Sequence, residues 1–247
     1  MSSHFIDRFD AIGLEELDTL SLMNRIDTKF VFHVNRLEEF LSYLQPYYKV
    51  LEIKGTRIMP YHSIYLDTPG MYLYHCHHNG RRARYKVRFR DYLISDISFL
   101  EIKKKTNQER TKKKRISVPY KVSDLTTDSN AFLKNFADLD GETMIKVLEN
   151  NFSRITLAGF ETRERVTLDM NVSWTKDGKT FDMPDVVIAE VKRCAGCACS
   201  PVMMAVKKMQ IRPASFSKYC FGVVNLYDNV KKNNFKPKIL KIKKILQ

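Results

Sequence analysis

Glycine is scarce in this chain, 9 residues in 247, and no glycine-rich phosphate loop of the usual kind is present. Any site for a phosphate compound must therefore be built from side chains. No apolar run approaches the ~20 residues needed to span a bilayer, which excludes a transmembrane helix. The opening residues, Met-Ser-Ser-His-Phe-Ile-Asp-Arg, lack the apolar core of a secretion signal. The 5 cysteines are odd in number and unevenly spaced, which argues against a disulfide framework. A reducing cytoplasm fits best, with any membrane link made through a partner or the membrane surface. Acids are also short: 28 Asp and Glu face 42 Lys and Arg, for a formal net charge of +14. That excess calls for an anion such as nucleic acid, nucleotide, polyphosphate or an acidic membrane surface.

What is present suits a globular fold. Hydrophobic residues make up 44% of the chain, and tyrosine and phenylalanine are plentiful. Hydropathy predicts strands near 25–33, 48–54, 61–67, 83–93, 97–105, 112–118, 153–158, 163–170 and 185–193. Asp67-Thr-Pro-Gly70 ends the third of these and opens a short helix or turn region through about 78. An amphipathic helix is predicted over 35–44, with Leu37, Phe40, Leu41 and Leu44 on one side. Residues 128–150 read as one or two helices, and two more helices follow near 201–209 and 216–228. Asp177-Gly178 predicts a tight hairpin. No domain boundary is visible before residue 229, so 1–228 is taken as one domain and 229–247 as a basic C-terminal tail.

The most informative stretch is Arg84-Tyr-Lys-Val-Arg-Phe-Arg90. Alternate side chains of a strand point to opposite faces. Arg84, Lys86, Arg88 and Arg90 therefore share one face, opposite Tyr85, Val87 and Phe89. Alone, this is ordinarily a solvated face, but other strands repeat it. Arg25, Asp27 and Lys29 oppose Ile26, Thr28 and Phe30. Glu101 and Lys103 oppose Leu100 and Ile102, and Lys113 and Arg115 lie opposite an apolar parity. Arg165, Thr167 and Asp169 oppose Val166, Leu168 and Met170, while Glu190 and Lys192 oppose Ala189 and Val191. A charged face on strand after strand suggests an α+β fold built on a closed antiparallel β-barrel, with a polar lumen and an apolar exterior under helices. The lumen would hold a multiply charged anion and a divalent cation.

The ordered set Asn24-Arg-Ile-Asp-Thr-Lys29, Ser63-Ile-Tyr-Leu-Asp-Thr68, Arg84–Arg90, Glu101-Ile-Lys103, Arg165-Val-Thr-Leu-Asp169, Glu190-Val-Lys192 and Phe216-Ser-Lys-Tyr219 resembles the VTC (vacuolar transporter chaperone) polyphosphate polymerase domain. That domain lies within the triphosphate tunnel metalloenzyme superfamily. The resemblance runs from about Phe5 to Asp228. It implies a tunnel fold that uses ATP and a divalent metal, Mn2+ or Mg2+, to extend inorganic polyphosphate. By motif, Lys29, Arg88, Arg90, Lys103 and Lys218 would be catalytic. Lys113, Arg154 and Arg165 would bind phosphate, with Arg25, Arg115 and Lys192 as lumen neighbours, and Glu190 would hold the metal. Hydrolytic and cyclase relatives carry Glu-x-Glu-x-Lys on the first strand. Here that strand reads Arg25-Ile-Asp27-Thr-Lys29, which favours the polymerase branch over a triphosphatase.

Other features have plainer readings. Cys194, Cys197 and Cys199 have metal-like spacing but lack a fourth ligand, and read as a small-residue loop. His75, His77 and His78 read as surface residues of a short helix. Asp67 either organises the lumen or caps the turn before Pro69. The Lys-rich tail is open to polyphosphate leaving the tunnel, an anionic membrane surface or a membrane-protein partner, or to plain disorder. A non-catalytic polyphosphate- or RNA-binding module stays in view. Nucleic acid is disfavoured because Tyr85 and Phe89 sit opposite the cations rather than among them.

Overall fold

A computed structural model of the chain describes residues 3–20, 25–106, 111–195 and 200–245. Asn24, Cys197 and Cys199 lie outside the described residues. In chain order the elements are β1 (Ala11–Ile12), α1 (Leu14–Thr19), β2 (Arg25–His33), α2 (Leu37–Leu44), β3 (Lys49–Leu51) and β4 (Met59–Asp67). Next come α3 (Tyr72–His78), β5 (Arg84–Tyr92), β6 (Ile97–Lys105), β7 (Thr111–Val118) and α4 (Thr127–Ala137). The chain continues through β8 (Ile145–Gly159), β9 (Glu164–Lys176), β10 (Lys179–Met183) and β11 (Val186–Cys194). It ends with α5 (Pro201–Lys208), α6 (Lys218–Leu226) and α7 (Lys236–Ile245).

One sheet carries the fold, in the order β2-β11-β9-β8-β4-β5-β6-β7, and its neighbours along this path are antiparallel. The sheet curls until side chains from its two ends face one another, since Lys103 of β6 lies in the field of Glu190, Lys29 and Asp27. Among the described residues, however, no pairing joins β7 to β2. The expected closed barrel is a curled sheet with a seam. Among the described residues, no helix is long and apolar enough to cross a membrane.

Strand alternation buries two outer layers. One packs Phe30, Phe32, Val166, Leu168, Ala189 and Val191 under α2 and α5. The other packs Val87, Phe89, Leu100 and Ile102 under Leu133 and Ala137 of α4. The inner face departs from expectation. Only part of it is polar, because Val31, Tyr61, Tyr65, Phe152, Trp174 and Ile188 form a third core with α6. Helix α6 thus enters the curl of the sheet instead of covering its outside. A Cβ on Gly222 would meet Trp174 Cδ1 at 2.4 Å, so a glycine is required for this close approach. Trp174 Nε1 donates to the Lys218 carbonyl at 2.9 Å and fixes the start of the helix. Ser217 caps it by accepting from the Cys220 N–H.

Three local readings change. Residues 145–150 belong to the long strand β8, not to a helix, and α4 covers only Thr127–Ala137. The pairing of β8 with β4 shifts between Tyr65 and Leu66, so the neighbours Val147 and Leu148 are both buried and the period-2 pattern is lost. The Asp177-Gly178 turn forms the expected hairpin ahead of β11, with positive φ at both residues, 48° and 77°, but the strand it leads into, β10, was not predicted. His78 is buried and accepts from the Asn234 N–H, while burial and the cations Lys86 and Arg84 push His77 down to about 3. His78 is thus a core residue and His77 a half-buried one. Asp67 is fully buried and takes the N–H groups of Thr68, Leu73 and Tyr74 together with the Tyr219 hydroxyl. It caps α3 and ties that helix to α6.

The basic tail is ordered where it is described. Phe235 and Ile242 are buried in the inner core, and Tyr74 Oη donates to the Lys231 carbonyl at 2.6 Å.

Candidate active site

The site is a set of buried carboxylates, each clamped by cations from neighbouring strands. Register sets the first clamp. Arg88 of β5 lies opposite Glu101 of β6, which lies opposite Arg115 of β7. Glu101 is only 2% exposed. Its Oε2 accepts from Arg88 Nε and Nη2 at 2.9 and 2.7 Å, and its Oε1 from Lys113 Nζ at 2.5 Å. Burial opposes the Glu101 charge, but Arg88, Arg90 and Lys113 outweigh it and hold the carboxyl far below its usual range.

Arg90 has a different status. It is 5% exposed, its Nε stands 4.0 Å from Glu101 Oε2, and that Nε finds no hydrogen-bond partner among the described residues. Burial and the neighbouring Arg88 lower its pKa. The guanidinium lies over the Tyr61 and Phe152 rings, both at 5.5 Å. A buried cation of this kind is stabilised by an anionic ligand.

The second clamp pairs β8 with β9. Arg154 Nε and Nη2 contact Asp169 Oδ1 and Oδ2 at 2.5 and 2.8 Å, a bidentate fork. Lys218, the first residue of α6, also binds Asp169 Oδ2. Burial drives Lys218 down to about 7, with Arg154 and Lys29 adding repulsion and Asp169 opposing the change.

The third carboxylate is more open. Glu190 of β11 meets Lys29 Nζ at 3.4 Å and Lys192 Nζ at 3.2 Å, and among the described residues no arginine clamps it. Burial works against its charge, yet Lys29, Lys192, Lys103 and Arg154 hold it well below the usual carboxylate range. Lys29 also donates to the Phe216 carbonyl at 3.2 Å.

The structure brings together Lys29, Arg88, Arg90, Lys103, Lys113, Arg154, Glu190, Lys192 and Lys218. Three of the expected residues stand apart. Arg165 Nη2 donates to the Leu17 carbonyl at 2.8 Å and ties β9 to α1. Arg115 is exposed on the edge strand β7, stacked 4.2 Å from the Phe99 ring. Arg25 is exposed and pairs with Asp27 at 3.0 Å. Parity places all three on the inner face, but it cannot see that they lie at the strand ends or on the sheet edge.

Lys86 was missed as a site residue, although it shares the parity of Arg88. Its Nζ donates to Ser217 Oγ at 2.8 Å, and burial, with Lys29, Lys103 and Arg88 nearby, pushes it down to about 7. Glu101 and Asp169 were visible on the charged face, but their role as internal counterions needed the third dimension.

These lysines give the site a pH signature. Burial leads the causes for Lys86 and Lys218, both near 7, and for Lys113, pushed down to about 8. Without an anion to pair with, each loses its proton as pH rises through those values. A bound polyanion favours the charged form, so binding takes up protons. Affinity for tripolyphosphate is expected to fall as pH rises from about 7 to about 9. Calorimetry in buffers of different ionisation enthalpy checks this, and a flat profile would show that these lysines do not face the anion.

A family model described as the VTC domain matches residues 24–227. The chain belongs to the VTC domain family. No curated protein matches it significantly. Among solved structures, the VTC fold of this chain resembles a candidate adenylate cyclase from Bacillus halodurans, with TM-score 0.52 and 11% identity, covering 83% of this chain and 100% of that one. It also resembles a candidate adenylyl cyclase from Hippeastrum described as having a dominant triphosphatase activity, with TM-score 0.51 and 13% identity, covering 84% and 98%. Those likenesses establish the fold: an antiparallel, sheet-rich α+β architecture of the triphosphate tunnel type, here with an open seam. All the clustered site residues lie inside the segment that the VTC model matches.

Proposed function

We propose that this chain is a metal-dependent polyphosphate polymerase that transfers the γ-phosphoryl group of ATP to the end of an inorganic polyphosphate chain. The observation that carries this reading is Arg90, a buried guanidinium with an unpartnered Nε beside two arginine-clamped carboxylates. The clamps spend two acids on holding arginines in place, and the remaining cations await an anion from outside. Phosphoryl transfer depends chiefly on positioning and charge stabilisation. In the reaction, a terminal oxygen of the chain forms a bond to the γ-phosphorus. The bond from that phosphorus to the β–γ bridging oxygen breaks, and its electron pair leaves with ADP. The attacking oxygen is already largely ionised near neutral pH and needs no general base. Glu101 and Asp169 are poor bases, since the cations around them hold both far below their usual range. This supports transfer to phosphate over activation of water.

A divalent cation fits the donor set only in company with substrate. Among the described residues, no group of three or more His, Cys, Asp or Glu could hold one alone. Glu190 offers hard oxygens that no described arginine clamps, which suits Mg2+ or Mn2+ completed by phosphate oxygens. When bound there, the ion would neutralise and polarise the triphosphate oxygens. On the first strand, Asp27 pairs through Oδ1 with the exposed Arg25 at 3.0 Å.

The deciding experiment incubates purified protein with ATP and Mn2+ or Mg2+ and resolves the products by gel and chromatography. ADP and a phosphate ladder are expected. ADP with orthophosphate alone would make the protein a triphosphatase. No turnover would leave a binding module, and AMP with pyrophosphate would overturn both enzyme readings.

A further inference from the structure

A cavity of about 250 Å³ opens beside the site, on the seam side of the sheet. Arg84 and Lys86 of β5 and Lys103 and Lys105 of β6 line it on one wall. Ser217, the cap of α6, lines the other wall with Lys238 of α7. No carboxylate contributes to the lining among the described residues. The cavity adjoins the reaction centre, because Lys86 and Lys103 both lie in the field of Lys29.

Helix α7 is what makes this a pocket. It contacts β2, and Lys241 Nζ donates to the Pro213 carbonyl at 3.0 Å. Pro213 in turn bridges to Phe30 of β2. Through Lys238 the helix shares a cavity with Lys105 and Thr111, which belong to β6 and β7. It therefore lies across the gap between the edge strands β2 and β7, which do not pair. Phe235 and Ile242 anchor it in the inner core. The segment matched by the VTC family model ends at residue 227, before this helix begins.

We propose that α7 straps the seam and completes a second anion subsite, which holds the distal phosphates of the polyphosphate chain while its end reacts at the centre. The proposal rests on the polymerase reading for the identity of the ligand. Phe216, Phe221 and Phe235 also line the cavity, yet its charge pattern favours a chain over the base of a nucleotide. An uncharged base would leave five cations uncompensated in a small cavity, whereas each phosphate of a chain brings its own negative charge. The Ser217 hydroxyl and the start of α6 face the same space and favour an anion there. A subsite removed from the reacting phosphates adds affinity that grows with chain length. It would keep a growing chain bound between transfers.

The test is equilibrium binding, which needs no turnover. The probes are inorganic tripolyphosphate and a linear polyphosphate several times longer. They are titrated into the full chain and into Lys238→Glu, Lys238→Gln and Lys243→Glu. Lys243 sits on the same helix but does not line the cavity. Lys238 is exposed, makes no ion pair among the described residues and lies 5.2 Å from the Phe235 ring, so its variants should keep the fold, and melting temperature checks that. Lys238→Glu is expected to weaken the long chain by about tenfold and tripolyphosphate by less than about twofold, with Lys238→Gln between. Lys243→Glu should change neither. An equal loss for both probes would place the nucleotide end in this cavity and overturn the proposal. So would unchanged long-chain binding, or the same loss in Lys243→Glu. A wild-type protein that prefers the long chain but makes no polymer from ATP would sink the polymerase reading and leave the subsite standing.

Discussion

Arg88→Ala is expected to lower turnover by about a hundred- to a thousandfold and also to lower the melting temperature. The catalytic loss follows from removing a fixed donor aimed at developing phosphate charge. The stability loss has a separate source. Glu101 is almost wholly buried and takes two of its contacts from Arg88. Stripping one partner from a buried pair costs about 3–5 kcal/mol, and less here because Lys113 and Arg90 remain. Strand parity alone places Arg88 on an inner polar face and gives no reason to expect destabilisation. The clamp changes that expectation. The double variant Arg88→Ala/Glu101→Gln separates the two effects. It should recover part of the melting temperature, since the buried carboxylate goes with its main partner while Arg90 loses its nearest acid, but none of the turnover. If Arg88→Ala melts like the wild type and turns over normally, neither the clamp nor the site is as described.

Glu190→Gln should behave in the opposite way. Turnover with Mn2+ or Mg2+ is expected to fall about a hundredfold or more, because the carboxylate that would share the ion with the phosphates is gone. Stability should change little, since among the described residues Glu190 pairs with lysines alone, which can turn toward solvent or phosphate. Metal-free binding of tripolyphosphate should hold or tighten, because the substitution removes a negative charge from a cationic lumen. The measurements are steady-state turnover across metal concentrations, melting temperature and calorimetry with tripolyphosphate. Metal-dependent activity near the wild-type level would remove Glu190 from the site.

Much of this protein was legible in one dimension because strand geometry is periodic. Alternation between faces depends only on neighbouring residues, so the inner set on β2, β5, β6, β9 and β11 follows from the order of charged and apolar residues. The same periodicity fails wherever the backbone gains or shifts a residue. At Val147 and Leu148 a bulge puts two neighbours inside, and a strand passes for helix. At Asn171, with φ of 50°, the pairing of β8 with β9 shifts, and β9 runs on beyond the point where its alternation breaks.

The sequence by itself determined a cationic inner face, the strands that carry it and the VTC resemblance, all of which rest on local order and spacing. Only the tertiary structure decided which charges neutralise one another. Arg88 reaches Glu101 across 12 intervening positions and Lys218 reaches Asp169 across 48, and no local rule pairs residues so distant. It also decided that, among the described residues, the sheet stays unpaired between β7 and β2, that α6 fills part of the lumen and that the lysine-rich end packs as a helix. Closure and docking depend on twist, volume and the burial of Trp174, Phe235 and Ile242, which are properties of the assembled core and not of any single segment.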